Sequence, residues 1–282
     1  MKCLPTAFVL LPRTAVLFGV MLAGQPGPTR AQTAPPSAPS SQTVKVEYFD
    51  ETGFRLPSEA GADYRTETTL RDSVGAAVRE YYLPSGKLKA YTPYANLPRK
   101  QRHGTSSQYY ESGQLREQVT YQAGKMMGDL VTYYPDGTLK RRDHHAPGQP
   151  VTGECFGADG QPRPYFGYQK MPVYTEGAGD QAAVVNAVMR NTRYPPEALR
   201  NRVYGKVKIL FIVDKHGLVQ HIRPDEKTNM ELVPENLVPT YRLLQEAALA
   251  AVRQLKPFQP GQQDGEPVPV SYSVPVTFGI NK

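Results

Sequence analysis

The chain has 282 residues, of which 39% are apolar, so it is long enough for about two domains with hydrophobic cores. Frequent glycine and proline, 18 tyrosines and the absence of tryptophan favour turn-rich β structure over helix bundles. Without the three basic residues of its leader the chain keeps 30 basic and 26 acidic residues, and this net charge of +4 is too small to indicate a nucleic-acid-binding protein.

The N-terminus predicts an export signal. Residues 14–24, TAVLFGVMLAG, form an apolar run of 11 residues behind Lys2 and Arg13, and small residues precede a cleavage point after Ala31. We therefore expect residues 1–31 to be a signal peptide. The alternative is an uncleaved membrane anchor, but Arg13 interrupts the apolar residues and leaves a run that is too short to span a bilayer.

A repeated pattern follows a short linker. Residues 32–43, QTAPPSAPSSQT, are typical of a semi-rigid Pro/Ser-rich linker. Beyond them, two aromatic residues, a few turn residues, a glycine and a leucine recur, and the glycines at 86, 113, 137 and 160 are 27, 24 and 23 residues apart. The copies are YYLPSGKL (81–88), YYESGQL (109–115), YYPDGTL (133–139), a degenerate FGADGQP (156–162) and an opening YFDETGFRL (48–56). A fixed period in this range indicates a repeat array.

Each repeat predicts a β-hairpin, because Pro-Asp-Gly and Glu-Ser-Gly favour turns. A single hairpin is marginally stable, so the hairpins must stack, with the tyrosine pairs packed between them. A ligand-binding aromatic face is the alternative for the tyrosines, but their recurrence at one place in each unit favours packing. The pattern resembles MORN-type repeats of the antitoxin-component-like kind. This resemblance implies an N-terminal all-β repeat array of stacked MORN-like hairpins over residues 44–166.

From about residue 177 the apolar periodicity predicts mixed helices and strands. Prolines open the second of two short helices, alternating apolar residues form a hairpin around the turn DKHG, and Pro257 ends a longer helix. The predicted helices are 180–192, 194–201 and 241–256, and the predicted strands are the two arms of the hairpin within 204–222 and the final 268–278.

These elements resemble the TonB C-terminal domain family. The resemblance rests on four segments in the same order: YPPEALRN, GKVKILFIVDKHGLV, ALAAVRQLKPFQPG and PVPVSYSVPVTF. It implies a C-terminal α+β TonB-like domain over residues 177–282, with the order helix, strand, strand, helix, strand. The connection over residues 224–240 is longer than is usual in this family, which affects the local loop and not the expected fold.

The final strand, VPVSYSVPVTF, contains two prolines. Its even-numbered residues, from Val268 to Phe278, are apolar and are predicted to pack inward. Pro269 and Pro275 share the opposite parity, so their missing N–H groups fall on one side, as is typical of the outer side of an edge strand. The outward backbone donors are then those of Ser271, Ser273 and Thr277.

In the TonB family this edge accepts an extended segment of an outer-membrane receptor as an added strand. The resemblance therefore implies that an outer-membrane TonB-dependent receptor pairs mainly around residues 271–273, with a break at Pro275. The implied partner-binding residues are Ser271, Ser273, Val274, Val276, Thr277 and Phe278. For a chain that keeps its leader as an anchor, inner-membrane proton-driven motor proteins are implied as further partners.

The implied function is that of a TonB-like energy-transducing or accessory protein of the cell envelope that supports transmembrane transport. It is periplasmic if the leader is removed, and anchored in the inner membrane facing the periplasm if the leader stays. Two features depart from the family's transducers: no histidine precedes His103, and the Pro-rich spacer is short. The alternative is a non-transducing periplasmic scaffold or interaction protein that uses the MORN-like array.

No catalytic motif is found: the sequence has no G-x-S-x-G, P-loop, H-E-x-x-H or C-x-x-C pattern. We therefore expect no enzyme, no cofactor and no metal site. His144 and His145 stand near Cys155, but adjacent residues of a strand point to opposite faces and cannot share a metal. Cys155 is the single cysteine after the leader, so it has no partner for an internal disulfide.

The remaining polar clusters predict solvated surface. His216 falls in a turn and His221 in the following strand, where no base or nucleophile pattern surrounds them. The basic clusters RKQRH (99–103) and KRRD (140–143) are too short for a nucleic-acid patch, and we expect them on an exposed sheet face or loop.

Overall fold

The computed structural model describes residues 44–230 and 233–279, which are mostly β-strands with few helices. The predicted signal peptide (1–31) and linker (32–43) lie outside these residues. No helix within the described part of the chain is both long and apolar enough to cross a membrane.

Residues 44–163 form one antiparallel sheet of twelve strands. The strands are β1 (Val44–Phe49), β2 (Arg55–Leu56), β3 (Tyr64–Leu70), β4 (Ala76–Tyr82), β5 (Leu88–Asn96), β6 (Gln101–Arg102), β7 (Gly104–Tyr109), β8 (Leu115–Gln122), β9 (Lys125–Tyr133), β10 (Leu139–His145), β11 (Thr152–Phe156) and β12 (Pro162–Arg163). Strands that follow each other in the chain are neighbours in the sheet, with two exceptions. Strand β1 lies between β2 and β3, and β5 pairs with both β6 and β7.

The turn of each sequence repeat has the same backbone hydrogen bonds. Tyr110 donates its N–H to the carbonyl of Gln114 (2.9 Å), and Gly113 donates its N–H to the carbonyl of Tyr110 (2.8 Å). Gly113 has φ +95°, a conformation that glycine adopts without the cost of a side chain. The same two bonds recur in the turns that begin at Asp50, Tyr134 and Gly157, and with one extra residue at Tyr82.

Tyrosine hydroxyls connect each repeat to the next, and we call this series of bonds the tyrosine ladder. In each case the second tyrosine of a pair donates its hydroxyl to a main-chain carbonyl of the following unit. The bonds run from Tyr82 to Tyr109 (2.8 Å), from Tyr110 to Tyr133 (2.8 Å) and from Tyr134 to Phe156 (2.9 Å). The second tyrosine of each pair thus contacts the following unit through a hydrogen bond.

The sheet itself buries little apolar surface. Its small core cluster consists of Val119, Tyr121 and Leu130, with Met126 and Tyr168 packed against it. Cations also lie over tyrosine rings of the sheet: Lys89 Nζ is 3.3 Å from the ring centroid of Tyr64, and Arg102 Cζ is 5.0 Å from that of Tyr121 in the cluster. Such contacts are worth about 0.5–1 kcal/mol each at exposed sites and more where water is excluded.

The C-terminal region places helices against one face of a three-stranded sheet. Its helices are α1 (Gln181–Asn191), α2 (Pro196–Arg200), α3 (Glu226–Met230) and α4 (Val238–Val252), and a 3-10 helix spans Glu235–Leu237. Its strands are β13 (Gln169–Lys170), β14 (Val173–Tyr174), β15 (Gly205–Val213), β16 (Val219–Pro224), β17 (Phe258–Gln259), β18 (Gly261–Gln263), β19 (Glu266–Val268) and β20 (Val270–Phe278). The three-stranded sheet has the order β16-β15-β20.

The main hydrophobic core lies between these helices and that sheet. Side chains at helical spacing on α1 and α4 pack against apolar residues on one face of β15 and β20, most of which are nearly inaccessible to solvent. Asp180 caps α1 by accepting a hydrogen bond from the N–H of Ala183 (2.8 Å). The residues that meet in this core include Val184, Val188, Val207, Ile209, Phe211, Leu244, Ala248, Val252, Val274 and Val276.

Two predicted elements have different ends in the structure. The helix predicted over 241–256 is α4, Val238–Val252. It ends earlier than predicted because the N–H groups of Gln254 and Leu255 bond to carbonyls three residues back, which tightens the chain into a 3-10-type turn before Pro257. The strand predicted over 268–278 is divided at Pro269. Val268 pairs with β18 in a separate small sheet, whereas β20 pairs with β15. Part of the long connection over 224–240 forms α3 and the 3-10 helix.

Candidate functional site

Strand β20 is an edge strand. It pairs with β15 over its whole length, from Val270 opposite Val213 to Phe278 opposite Gly205. On its other side no strand of the described residues pairs with it. The structure therefore leaves one row of its backbone groups available to a further strand.

The direction of the backbone groups follows from one hydrogen bond on β15. Asp225 donates its N–H to the carbonyl of Lys208 (2.9 Å), so the backbone groups of Lys208 face β16. Lys208 stands opposite Pro275 in the ladder between β15 and β20. When two residues stand opposite each other in antiparallel strands, their backbone groups either hydrogen-bond to each other or both point away from the partner strand. The backbone of Pro275 therefore faces the open edge, where a missing N–H interrupts no bond within the sheet.

The residues of the predicted binding segment divide by parity. Ser271, Ser273 and Thr277 share the parity of Pro275, so their N–H groups face the open edge; Ser271 and Thr277 are also exposed. Val274, Val276 and Phe278 have side chains in the core and backbone groups that bond to β15. The open edge thus offers three backbone N–H donors, and Pro275 interrupts the row between the second and the third.

A cleft of about 550 Å³ lies over one face of this sheet and reaches the start of β20; its other wall is the turn between β1 and β2, which contacts β16. We call this turn, residues 50–54, the first loop. The cleft is lined by residues of the first two strands and their turn, by β15 and β16, and by the start of β20. The lining residues include Phe49, Phe54, Leu210, Ile212, His221, Arg223 and Ser271.

The first loop is attached to β16 through His221. The imidazole of His221 stacks on the ring of Phe54, with centroids 3.9 Å apart, and its Nε2 lies 2.9 Å from Asp50 Oδ2. Burial opposes ionisation of Asp50, but hydrogen bonds from Thr52 and Phe54, together with the charge of His221, lower its pKa below the ordinary value. His221, expected on a solvated surface, instead joins the C-terminal sheet to the repeat sheet.

A second contact between the repeat sheet and the C-terminal region is a buried charged cluster around Arg141, which reaches the separate sheet that contains β18 and β19. Arg141 is fully buried, and its guanidinium bonds to Asp264 through Nε (2.7 Å) and to Asp143 through Nη1 (2.9 Å). Asp264 also accepts a hydrogen bond from Thr132 (2.8 Å) and lies 3.3 Å from Lys140. The expectation of an exposed KRRD segment is wrong for Arg141 and Asp143, because the β18–β19 hairpin covers this face.

That hairpin has a sequence signal of its own. Asp264 and Gly265 form its two-residue turn, with φ +52° and +81°, and Asp-Gly is a preferred pair for such a turn. Next to it, Tyr168 and Gln263 donate hydrogen bonds to the buried Glu117. Burial raises the pKa of Glu117 above its ordinary value, although both of these hydrogen bonds act in the opposite direction.

The structure places His144 at the surface and Cys155 in the interior. His144 Nδ1 lies 2.8 Å from Asp129 Oδ1 in an exposed pair, and Cys155 is a free, buried thiol. Among the described residues, no group of three or more His, Cys, Asp or Glu side chains could hold a metal ion.

Comparison with protein families identifies two short matches. Residues 239–280 match the model of the Gram-negative bacterial TonB protein C-terminal, and residues 102–123 match the model of the MORN repeat variant. The first match begins in α4 and extends through β20, and the second covers β7 and β8 with their turn. Both suspected resemblances are thereby confirmed over these residues. Searches of curated proteins and of solved structures give no significant match.

Proposed function

We propose that this chain is a TonB-like energy-transducing or accessory protein of the cell envelope, which binds outer-membrane transporters by strand addition to β20. The match over residues 239–280 suggests a TonB-like role, in a family that is not enzymatic. The observation that carries the proposal is the open edge of β20, with outward N–H groups at Ser271, Ser273 and Thr277. The domain over 177–282 is then the receptor-binding part.

Strand addition suits this edge for a physical reason. An extended peptide gains affinity from main-chain hydrogen bonds, each worth about 0.5–1.5 kcal/mol net. The donors of Ser271 and Ser273 and the carbonyls on the same side provide a short ladder, and Pro275 ends it. The bound segment should therefore be short and centred on 271–273, and the side chains of Val274, Val276 and Phe278 should support it from the core.

The decisive experiment captures receptors from outer-membrane extracts with the full chain. Ser273→Pro removes the central outward donor and is compatible with the strand, since Pro275 occupies an equivalent position two residues away. Ser273→Ala is the matched control, because it removes the hydroxyl and keeps the N–H. We expect the proline variant to lose the receptor and the alanine variant to retain it. Equal capture by both variants would refute strand addition.

The location of the protein separates transduction from an accessory role. We propose a periplasmic chain that begins near residue 32, and mass analysis of its N-terminus in native cells tests this directly. A retained leader would instead allow contact with inner-membrane proton-driven motor proteins. A processed N-terminus excludes direct coupling of this chain to the motor and leaves an accessory function.

A second candidate is a non-transducing periplasmic scaffold, favoured by the size of the twelve-stranded sheet and by the MORN-variant match. Here the repeat sheet holds a protein or envelope surface. Cells that carry Ser273→Pro would then keep normal uptake through outer-membrane transporters. Loss of envelope integrity on deletion of the whole gene, with normal uptake in the proline variant, would favour the scaffold.

A further inference from the structure

The cleft beside β20 continues the surface on which an added strand would place its side chains. Ser271 belongs both to the open edge and to the cleft lining. Residues that stand opposite each other in antiparallel strands project from the same face. One row across the sheet is Arg223, Leu210 and Ser273, and the next is Gln220, Ile212 and Ser271.

An added strand would extend these rows by one further residue each, about 4.8 Å beyond β20. Its residues opposite Ser271 and Ser273 would project on the same face as Leu210 and Ile212. Both serines are small, so they leave space for a longer side chain of the partner to lie across them. The apolar side chains of Leu210 and Ile212, which line the cleft, then lie on this same face.

We propose that the cleft receives an aromatic side chain of the peptide that adds to β20, and that the first loop thereby takes part in selecting the partner. This inference rests on the proposed function and deepens it. The repeat sheet, through Phe54 and Phe49, then forms one wall of the binding site, and the C-terminal sheet forms the other.

The chemistry of the lining favours an aromatic side chain over other kinds. Phe49, Phe54, Leu210 and Ile212 give apolar walls, against which a carboxylate or an ammonium group would lose its hydration. Arg223 adds an exposed guanidinium to the lining, and no carboxylate among the described residues forms an ion pair with it. A guanidinium attracts the face of an aromatic ring, an interaction that aliphatic side chains cannot make. It also attracts a carboxylate, but an ion pair at this exposed position is worth only about 0–1 kcal/mol and adds no apolar contact with the walls.

The test uses the full chain and a set of synthetic ten-residue peptides of alternating Thr and Val. One position at a time carries Phe, Leu, Glu or Ala, and binding is measured by fluorescence polarisation. At one position we expect Phe to bind about three- to tenfold more tightly than Ala, the range given by one aromatic contact. Leu should gain less than Phe because it makes no cation–π contact, and Glu should gain less than Phe because it makes only an exposed ion pair.

Two variants of the cleft identify the origin of the preference. Phe54→Ala should reduce the ratio of Phe to Ala affinities towards one, and Arg223→Gln, at an exposed position, should lower it with no effect on folding. Circular dichroism monitors the fold of both. An unchanged ratio in both variants would overturn the inference.

Different results would refute this inference and the proposed function. If Ser273→Pro abolishes peptide binding and receptor capture while Phe and Ala peptides bind the wild-type chain equally, strand addition stands and the role of the cleft is refuted. If Ser273→Pro changes neither, the proposed function itself is refuted. If free N-acetyl-phenylalanine amide binds the chain as tightly as the Phe peptide does, the cleft binds a small aromatic ligand. That result would overturn the proposal that a side chain of the added peptide occupies the cleft.

Discussion

Removal of the carboxylate of Asp264 should destabilise the protein strongly. Asp264 is 7% exposed and accepts bonds from Arg141 (2.7 Å) and Thr132 (2.8 Å), so its loss leaves a buried guanidinium with fewer partners. Breaking a buried ion pair from one side costs about 3–5 kcal/mol. Because Arg141 keeps its bonds to Asp143, the cost should lie near the lower end, about 3 kcal/mol.

Asp264→Asn is the informative change, because asparagine tolerates the left-handed backbone of this turn and keeps its shape. For a domain of this size, about 3 kcal/mol corresponds to a fall in Tm of roughly 6–12 °C, which calorimetry or urea unfolding measures. Glu266→Gln is the matched control: this neighbour also pairs with Lys140 (3.0 Å), but its side chain is 53% exposed. Its loss should cost less than about 1 kcal/mol.

The reasoning would be refuted by equal shifts of Tm in the two variants. That result would mean that solvent reaches the cluster around Arg141 in solution, so that Asp264 contributes no more than a surface pair. A fall in Tm for Asp264→Asn together with separate unfolding of two parts of the chain would agree with the reasoning, since the cluster joins the repeat sheet to the C-terminal region.

Three further predictions concern the turns, the tyrosine ladder and pH. Gly217→Ala should destabilise the protein far more than Gly113→Ala, although both glycines have positive φ. A Cβ at Gly217 would lie 1.9 Å from a carbonyl oxygen of β17, whereas a Cβ at Gly113 would face open space. Equal losses of stability in urea unfolding would contradict this. Tyr110→Phe should cost about 1 kcal/mol by loss of its bond to β9, and more than Tyr109→Phe, as thermal unfolding can show. Burial raises the pKa of Glu117 in the folded state, so folding binds a proton, and the stability that this gives is lost as the pH rises through the folded pKa. Glu117→Gln should therefore gain stability relative to wild type as the pH rises above about 4.3, and a pH-independent difference in urea unfolding would contradict this.

Local chemistry made much of the fold predictable. The repeat turns depend on glycines at fixed spacing, and the sequence alone indicates Gly113 and its equivalents because few other residues adopt positive φ. The position of Pro275 on the outer side of β20 follows from parity, which needs only the alternation of apolar residues. In each case the sequence signal and the structural cause lie within a few residues of each other.

Contacts between distant segments could not be predicted in the same way. Nothing near residues 140–143 indicates that Asp264, more than a hundred positions later, covers Arg141, and a short basic segment is usually solvated. The cleft could not be predicted for the same reason, because Phe54 and His221 are far apart in the sequence and come into contact only in the folded chain. The Asp264–Gly265 pair was the available signal for the hairpin, but it indicates a turn and not the surface that the turn contacts.

The two attachments of the C-terminal region to the repeat sheet restrict how many repeats the protein can contain. One attachment is at the first loop, through Asp50 and His221, and the other is at β9 and β10, through Thr132 and Arg141. One additional hairpin between them would add two strands and separate the attachments by about 10 Å. A hydrogen bond or an ion pair cannot stretch over that distance, so one attachment would be lost. Relatives that keep both attachments should therefore differ in loop length or beyond β10, and keep the number of hairpins between β1 and β10 constant.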